Sequence, residues 1–281
     1  MTTRVPTHRT GRLIHHATAA VALALLAACS DSNPTTVPPE LKVNAVVSTS
    51  QLRSALLTAV GSPPFASSSP SYNGGLSLNM WATVLDRNGL VVAVVFTGPA
   101  EGDQWPGSRI ISAQKANTAN NFSLQQLALS TANLYAAVQP GGSLFGLQDA
   151  NPINEEVAFG GKTEDYGTER DFMIGKRIGG TNVFGGGFPL YDANGNIVGG
   201  LGVSGDTSCG DHAIGWKVRH LLNLDNVPAG VADGGRDDNI IYDFADGQSA
   251  SGFGHPHCIN PTAETTIAGL LTTQFPVGPG E

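Results

Sequence analysis

The polarity pattern of the chain is dominated by two stretches in which a pair of turn-forming residues lies between two apolar runs. Asn194-Gly195 lies between two apolar runs, and Asn88-Gly89 lies between the apolar runs 76–85 and 90–97. Both dipeptides tolerate the positive φ angles of a tight hairpin turn. The pattern therefore predicts an α+β fold with a single antiparallel sheet of about five strands, built from two hairpins and flanked by helices.

Apolar residues at helical spacing predict the flanking helices. Residues 108–122 form one such segment, and Ser123 is expected to cap a second that runs to residue 138. Asp211 is the predicted N-cap of a helix that contains Ile214 and Val218. Two more helices are expected after the caps Ser48-Thr49-Ser50 and Asn260-Pro261.

The return strand of the second hairpin contains Gly199, Gly200 and Gly202. Glycine weakens a strand, so it usually marks a bulge or the close approach of another backbone or of a ligand. We expect the backbone that follows the second hairpin to be bare of side chains so that a flat ligand can lie against it.

The N-terminal residues have the features of an export signal. Arg4, Arg9 and Arg12 precede the apolar run 17–28, which is too short to span a bilayer. Leu26-Ala27-Ala28-Cys29 resembles the lipobox of bacterial lipoproteins, in which the cysteine is lipidated; a plain secretory signal with a coincidental Cys29 is the alternative. The predicted organisation is a signal peptide (1–28), a flexible tether (29–47), a domain (48–224) and a C-terminal extension packed on that domain (225–281).

Composition and charge limit the kinds of partner that the protein can bind. With 41% hydrophobic residues, 36 glycines and 17 prolines, the chain has the composition of a loop-rich protein with a real core. Removal of the three signal-peptide arginines leaves 12 basic against 23 acidic residues. This balance argues against nucleic acid and against electrostatic adhesion to anionic lipid, so an acyl anchor alone would attach the protein to a membrane. Ser30 after the cysteine favours the outer membrane of a bacterial cell envelope, with the domain facing the periplasm.

Two cysteines remain after Cys29. An even pair in an oxidising compartment predicts a disulfide between Cys209 and Cys258. A thiol-ligated metal site is the rival interpretation, but two cysteines 49 positions apart match no zinc-binding spacing.

Three motifs in order, VLDRNGLVVAVV, SAQKANTANNF and GGFPLYDANGNIVGGLGVSGD, resemble the GlcG/HbpS-type heme-binding family over residues 48–224. The resemblance implies a compact α+β domain that often forms homo-oligomers. Several members of that family bind heme or a related tetrapyrrole, and they share no obligatory axial ligand. The positions that match the family motifs are Lys115, Thr118, Gly186, Gly187, Pro189, Gly202, Ser204, Gly205 and Asp211.

The histidines are the chemical candidates for ligand binding. His255 and His257 could ligate heme or a metal ion, and a disulfide at Cys258 would bring them near Asp211 and His212. Alternatively, they lie in a rigid loop and only make hydrogen bonds. Lys115 could close over an anionic group such as a heme propionate or pair with an Asp or Glu side chain on the surface. His212, in the first turn of its helix, should be neutral if buried.

These features favour a lipid-anchored extracytoplasmic protein that binds heme or a similar planar small molecule without catalysis, so no catalytic residue is assigned. One alternative is a small-molecule-transforming enzyme or oxidoreductase accessory that uses Lys115, Asp211 and His212 in the same pocket. The other is an oligomeric assembly module.

Overall fold

The computed structural model of the chain describes residues 47–61 and 73–278. The predicted signal peptide, Cys29 and all of the predicted tether except Val47 lie outside the described residues. The described residues all fall within the compact unit Leu41–Glu281. Within this part of the chain, no helix has the length and apolar character that crossing a membrane requires.

The main sheet has four antiparallel strands, β1 (Trp81–Asp86), β2 (Val91–Phe96), β3 (Gly187–Tyr191) and β4 (Ile197–Ser204). Their order is β2-β1-β4-β3, so the two predicted hairpins join through β1 and β4, with Trp81 opposite Ser204. The turn glycines Gly89 and Gly195 have φ angles of 78° and 73°, as the hairpin turns require. A separate two-stranded ribbon pairs β5 (Phe244–Ala245) with β6 (Gln248–Ser249). The predicted α+β architecture is confirmed.

Helices cover both faces of the main sheet. The helices are α1 (Thr49–Gly61), α2 (Ser108–Phe122), α3 (Glu155–Phe159), α4 (Ser208–Leu221) and α5 (Pro261–Gln274). The helix α2 packs on one face, α1 and α4 pack on the other, and α5 packs on α4. Alternate residues of β1 serve the two faces: Ala82 and Val84 join the core under α1 and α4, whereas Trp81 and Leu85 join the core under α2.

The predicted helix at 123–138 is wrong. This segment contains only the short 3-10 turns Thr131–Leu134 and Ala136–Val138. The Ser123 hydroxyl bonds to the backbone of Leu129, and the Ser130 hydroxyl donates to Asn133 Oδ1 at 2.9 Å. Serine and asparagine side chains compete with helical hydrogen bonds in this way, and here their local bonds prevail over the apolar spacing.

The predicted cap of α4 is also wrong. The hydroxyl of Thr207 accepts the hydrogen bond from the amide of Gly210 at 3.2 Å, so Thr207 is the N-cap. Asp211 lies in the first turn instead, where it faces Lys115. The predicted cap of the last helix is confirmed, because Asn260 Oδ1 accepts from the amide of Ala263 at 3.1 Å.

The glycines of β4 bring α2 close to the sheet. A Cβ at Gly202 would lie 1.9 Å from the carbonyl oxygen of Ser112, and one at Gly200 would lie 2.3 Å from that of Ala116. The expectation of a bare backbone for a flat ligand is therefore wrong for this face, because the helix itself lies against it.

The residues after 224 pack on α4 through a buried ion pair and a disulfide. Arg219 and Asp238 are both fully buried and form a bidentate pair with distances of 2.9 and 2.7 Å. The predicted disulfide between Cys209 and Cys258 is present, with a Cα–Cα distance of 6.1 Å. These contacts join the extension to the first and last turns of α4.

Candidate functional site

Lys115 and Asp211 form a buried ion pair between α2 and α4. Lys115 Nζ lies 2.7 Å from Asp211 Oδ2 and donates a second hydrogen bond to the carbonyl of Val203 at 3.2 Å. The other oxygen of Asp211 accepts from the amide of Asp206 at 2.9 Å. Burial raises the pKa of Asp211 to about 6, against the opposing effect of Lys115. The pair is thus a buried contact inside the protein, whereas one of the two interpretations of Lys115 expected a pair on the surface.

The two glycines that enter the second hairpin lie against this pair. A Cβ at Gly186 would lie 2.9 Å from Cβ of Asp211 and 3.1 Å from Nζ of Lys115. A Cβ at Gly187 would lie 2.6 Å from the carbonyl oxygen of Lys115. Gly186 also has a φ of 115°, which other residues rarely adopt. Internal packing therefore accounts for both glycines.

Thr118 and Pro189 take part in hydrogen bonds that join neighbouring elements. The hydroxyl of Thr118 donates to the carbonyl of Gln114 at 2.8 Å and accepts from the amide of Asn182 at 2.9 Å. The carbonyl of Pro189 accepts from Arg219 Nη1 at 3.3 Å. The first contact ties the segment before β3 to α2, and the second ties β3 to α4.

His212 lies in the interior beside this cluster. Its Nε2 is 3.1 Å from the amide nitrogen of Ile240 and 3.2 Å from Asn239 Oδ1, while its Nδ1 has no hydrogen-bond partner among the described residues. Burial lowers the pKa of His212 to about 3, so the ring is neutral at pH 7, as expected. The cavity beside it has no room for a water molecule, and neither Lys115 nor His255 lines that cavity.

His255 and His257 lie in different surroundings although only one residue separates them. His255 is buried; its Nδ1 is 2.7 Å from the carbonyl oxygen of Pro256, and burial lowers its pKa to about 4. His257 is half-buried, stacks on Tyr242 at 4.2 Å between ring centroids, and places its Nδ1 2.9 Å from Glu264 Oε2. The structure therefore brings together Lys115, Asp211 and the paired glycines, but the two loop histidines have separate partners.

An open and mostly apolar cavity lies elsewhere, between the N-terminus of α2 and the segment around α3. Its volume is about 280 Å³, just below the usual range for small-molecule pockets. Aromatic and aliphatic side chains and the guanidinium group of Arg109 make up much of its wall; the lining residues are Trp81, Glu101, Pro106, Gly107, Arg109, Ile110, Ala158, Phe159, Thr163 and Tyr166.

Arg109 is fixed at the wall of this cavity. It makes two hydrogen bonds to Asp171, at 2.9 and 2.5 Å, and one to the carbonyl of Ala158 at 2.8 Å. Its guanidinium carbon lies 3.7 Å from the ring centroid of Tyr166, a cation–π contact. Sequence reasoning missed this residue; the available signal was an arginine in the first turn of a helix, where a positive charge is disfavoured unless it has a partner.

Trp81 and Phe159 were missed as well. Trp81 is 1% exposed, and its indole Nε1 has no hydrogen-bond partner among the described residues. Buried indole N–H groups usually find a partner. Phe159 is 65% exposed and lines the cavity. The cavity thus offers the accessible aromatic surface of Phe159.

Three of the solved structures that resemble this chain have low sequence identity to it. A heme complex of PduOC is 21% identical with a TM-score of 0.41, covering 62% of this chain and 91% of that chain. Klebsiella pneumoniae protein ORFY is 22% identical with a TM-score of 0.39, covering 63% and 90%. HbpS is 17% identical with a TM-score of 0.36, covering 63% and 89%. No protein with curated annotation matches the chain.

A family model described as "Haem degrading protein HbpS-like" matches residues 74–218. The match contains all four strands of the main sheet, the whole of α2 and every residue that lines the open cavity. It spans just over half of the sequence and confirms the resemblance found in the motifs. The chain belongs to the HbpS-like family of haem degrading proteins.

Proposed function

We propose that this protein is a lipid-anchored, extracytoplasmic binding protein for heme or a similar planar small molecule, and that it binds without catalysing turnover. The observation that carries the proposal is the open apolar cavity between α2 and α3. It lies wholly within the residues that match the family. A flat ring system can contact Trp81, Phe159 and Tyr166 there, and aromatic faces favour such contacts.

The residues that line the cavity suit contacts with the apolar ring of a tetrapyrrole better than ligation of its iron. Among the lining residues, Tyr166 is the one of a type that ligates heme iron in proteins. Its hydroxyl lies 3.2 Å from the carbonyl oxygen of Gly160 and 3.3 Å from that of Phe159. The apolar walls would then contact one edge of the macrocycle.

Titration of the full chain with hemin tests the proposal. We expect a shifted Soret band and a dissociation constant of about 10 μM or below. Metal-free protoporphyrin should bind as well, because the apolar wall contributes most of the contact. A hemin spectrum that the protein does not change would overturn the proposal.

A substitution that fills the cavity tests whether hemin binds there. Gly107 lines the cavity, and a Cβ at this position meets no atom within 4 Å, so Gly107→Phe should place a ring in the cavity without backbone strain. We expect it to weaken hemin binding by at least tenfold. Gly269→Phe is the matched control, because Gly269 is exposed on α5 and is equally free of neighbours. If both variants bind hemin like the parent chain, the ligand does not use this cavity.

Heme degradation is the second candidate, and the family description favours it. The same sample distinguishes the two functions when an electron donor and oxygen are added. In a protein that only binds heme, the Soret band shifts with the redox state of the iron but does not disappear. Loss of the band with release of an open-chain product would assign turnover instead.

A further inference from the structure

We propose that Cys209, Cys258 and His255 form a binding site for a thiophilic metal ion such as Zn²⁺ once their disulfide is reduced. The two sulfur atoms and one ring nitrogen of His255 all lie within 4.8 Å of one another. Cys209 and His255 are 4% and 1% exposed. This site is separate from the open cavity, which none of the three residues lines.

The hydrogen bonding of His255 leaves one nitrogen available as a ligand. A carbonyl oxygen can only accept, so the 2.7 Å contact with Pro256 requires that Nδ1 carry the proton. The unshared electron pair is then on Nε2, which has no hydrogen-bond partner among the described residues. A buried polar atom without a partner calls for a physical reason. Histidines that ligate metals typically donate their other N–H to a carbonyl or carboxylate, and His255 has that arrangement.

The N-terminus of α4 provides donors for the sulfur atoms. The backbone amide of Cys209 lies 3.2 Å from Cys258 Sγ, and the hydroxyl oxygen of Ser208 lies 3.4 Å from the same sulfur. Both residues belong to the first turn of α4, where the helix dipole favours negative charge. These donors would stabilise a thiolate, the form in which cysteine binds metal.

The ligand types select the class of metal. Two thiolates and one imidazole suit Zn²⁺ or Cu⁺ and disfavour the hard cations Mg²⁺ and Ca²⁺. Three protein ligands leave a fourth tetrahedral position for water or a small molecule. His257 is not required, because Glu264 and Tyr242 already contact its ring. The proposed ligands therefore pair His255 with the cysteines, whereas the sequence motif suggested a pair of histidines.

Formation of the site needs a reductant, which we take to be a dithiol. The dithiol gives two electrons and two protons to the Cys209–Cys258 bond, each sulfur becomes a thiol, and the dithiol closes its own disulfide. Metal binding then displaces the two thiol protons to solvent. The disulfide form of the same dithiol would take back two electrons, close the Cys209–Cys258 bond and release the metal.

The test uses Co²⁺, whose thiolate complexes absorb by charge transfer. The full chain, carrying Cys29→Ser so that no third thiol competes, is reduced with dithiothreitol and desalted under argon. We expect one Co²⁺ per chain, a thiolate-to-cobalt band, displacement by Zn²⁺, and no band in the oxidised protein. His255→Ala should weaken Co²⁺ binding by at least tenfold, whereas His257→Ala, the matched control, should change it less than twofold.

Two results would overturn the proposal. One is a reduced chain that gives no thiolate-to-cobalt band. The other is an affinity that His255→Ala leaves unchanged, as in an unfolded chain with two free thiols. Near-ultraviolet circular dichroism of the reduced protein, recorded with and without metal, shows whether the second result comes from an unfolded chain or from a folded chain that binds the metal without His255.

Discussion

The ion pair of Lys115 and Asp211 shows what can and cannot be predicted from single residues of the sequence. The family motifs single out both residues, but they are 96 positions apart, and no sequence pattern states that they meet. Breaking a buried pair by removing one partner typically costs 3–5 kcal/mol, because the remaining charge is left uncompensated. A structural role is therefore sufficient to explain these two residues. The open cavity, by contrast, contains none of the site residues that the motifs proposed.

The pH dependence of stability should reveal the buried imidazole of His212. Its pKa is about 3 in the folded protein and about 6.5 in an unfolded chain. Below about pH 6.5 the unfolded chain therefore takes up a proton that the folded chain does not, so stability falls as the pH decreases toward 3. His255, with a pKa of about 4, acts in the same direction. Asp211, with a pKa raised to about 6, acts in the opposite direction between about pH 4 and 6.

Urea denaturation between pH 7 and 4.5 measures this balance. Burial also raises the pKa of Asp237, which acts with Asp211. Against the opposing effect of burial, hydrogen bonds lower the pKa values of Asp243 and Glu264, which act with the two histidines. With four groups against two, we expect the free energy of unfolding to decrease on acidification. His212→Gln should reduce the slope by up to about 1.4 kcal/mol per pH unit, the value for one proton. Phe188→Leu is the control, because it disturbs the ring 4.7 Å from His212 without removing a titrating group. An unchanged slope in His212→Gln would contradict the assignment of a neutral buried ring.

At the scale of elements, the hairpins and the regular helices could be predicted from the sequence. Asn-Gly turns between apolar runs and the segment 108–122 carry their own local signals, and α2 has the predicted bounds. The segment 123–138 could not be predicted, because the side chains of Ser123 and Ser130 bond locally and override an apolar spacing that is compatible with a helix.

The purpose of the β4 glycines also depends on a tertiary contact. Glycine in a strand indicates close approach, but the sequence does not state whether a ligand or a helix approaches. In this fold it is α2. The open cavity lies instead where the start of α2 meets the segment 153–171, which has few periodic signals. This explains why the cavity was not predicted from the sequence.

A pair of glycine substitutions tests the close approach of α2. Gly202→Ala would place a Cβ 1.9 Å from the carbonyl oxygen of Ser112 and 2.6 Å from the amide nitrogen of Ala116. Both atoms belong to backbone and cannot move aside cheaply, so we expect a loss of about 3 kcal/mol or more in the free energy of unfolding. Gly269→Ala, on the exposed face of α5, should stabilise the protein by up to about 1 kcal/mol. Equal effects in urea denaturation would contradict this role of Gly202.

At the scale of the whole molecule, the extension after residue 224 distinguishes this chain from the segment that the family model describes. It buries Asp238 against Arg219, places Asn239 against His212, and closes the disulfide on the first turn of α4. The family match ends at residue 218, so all of these contacts add a layer to the family fold. The proposed metal site lies at this junction, since Cys209 comes from the family domain and the other two ligands come from the extension.

The attachment of the whole molecule to a membrane should depend on Cys29 alone. An acyl chain contributes about 0.8 kcal/mol per buried CH₂ group, and a net negative protein gains nothing from anionic lipid. We expect the full chain to fractionate with the outer membrane and to incorporate labelled palmitate. Cys29→Ser should abolish labelling and leave the protein in the soluble or unprocessed fraction. Cys258→Ser, which removes a thiol of the extension, should keep both the label and the membrane fraction. Outer-membrane attachment that persists in Cys29→Ser would exclude the lipid anchor, because the charge of the domain offers no substitute for it.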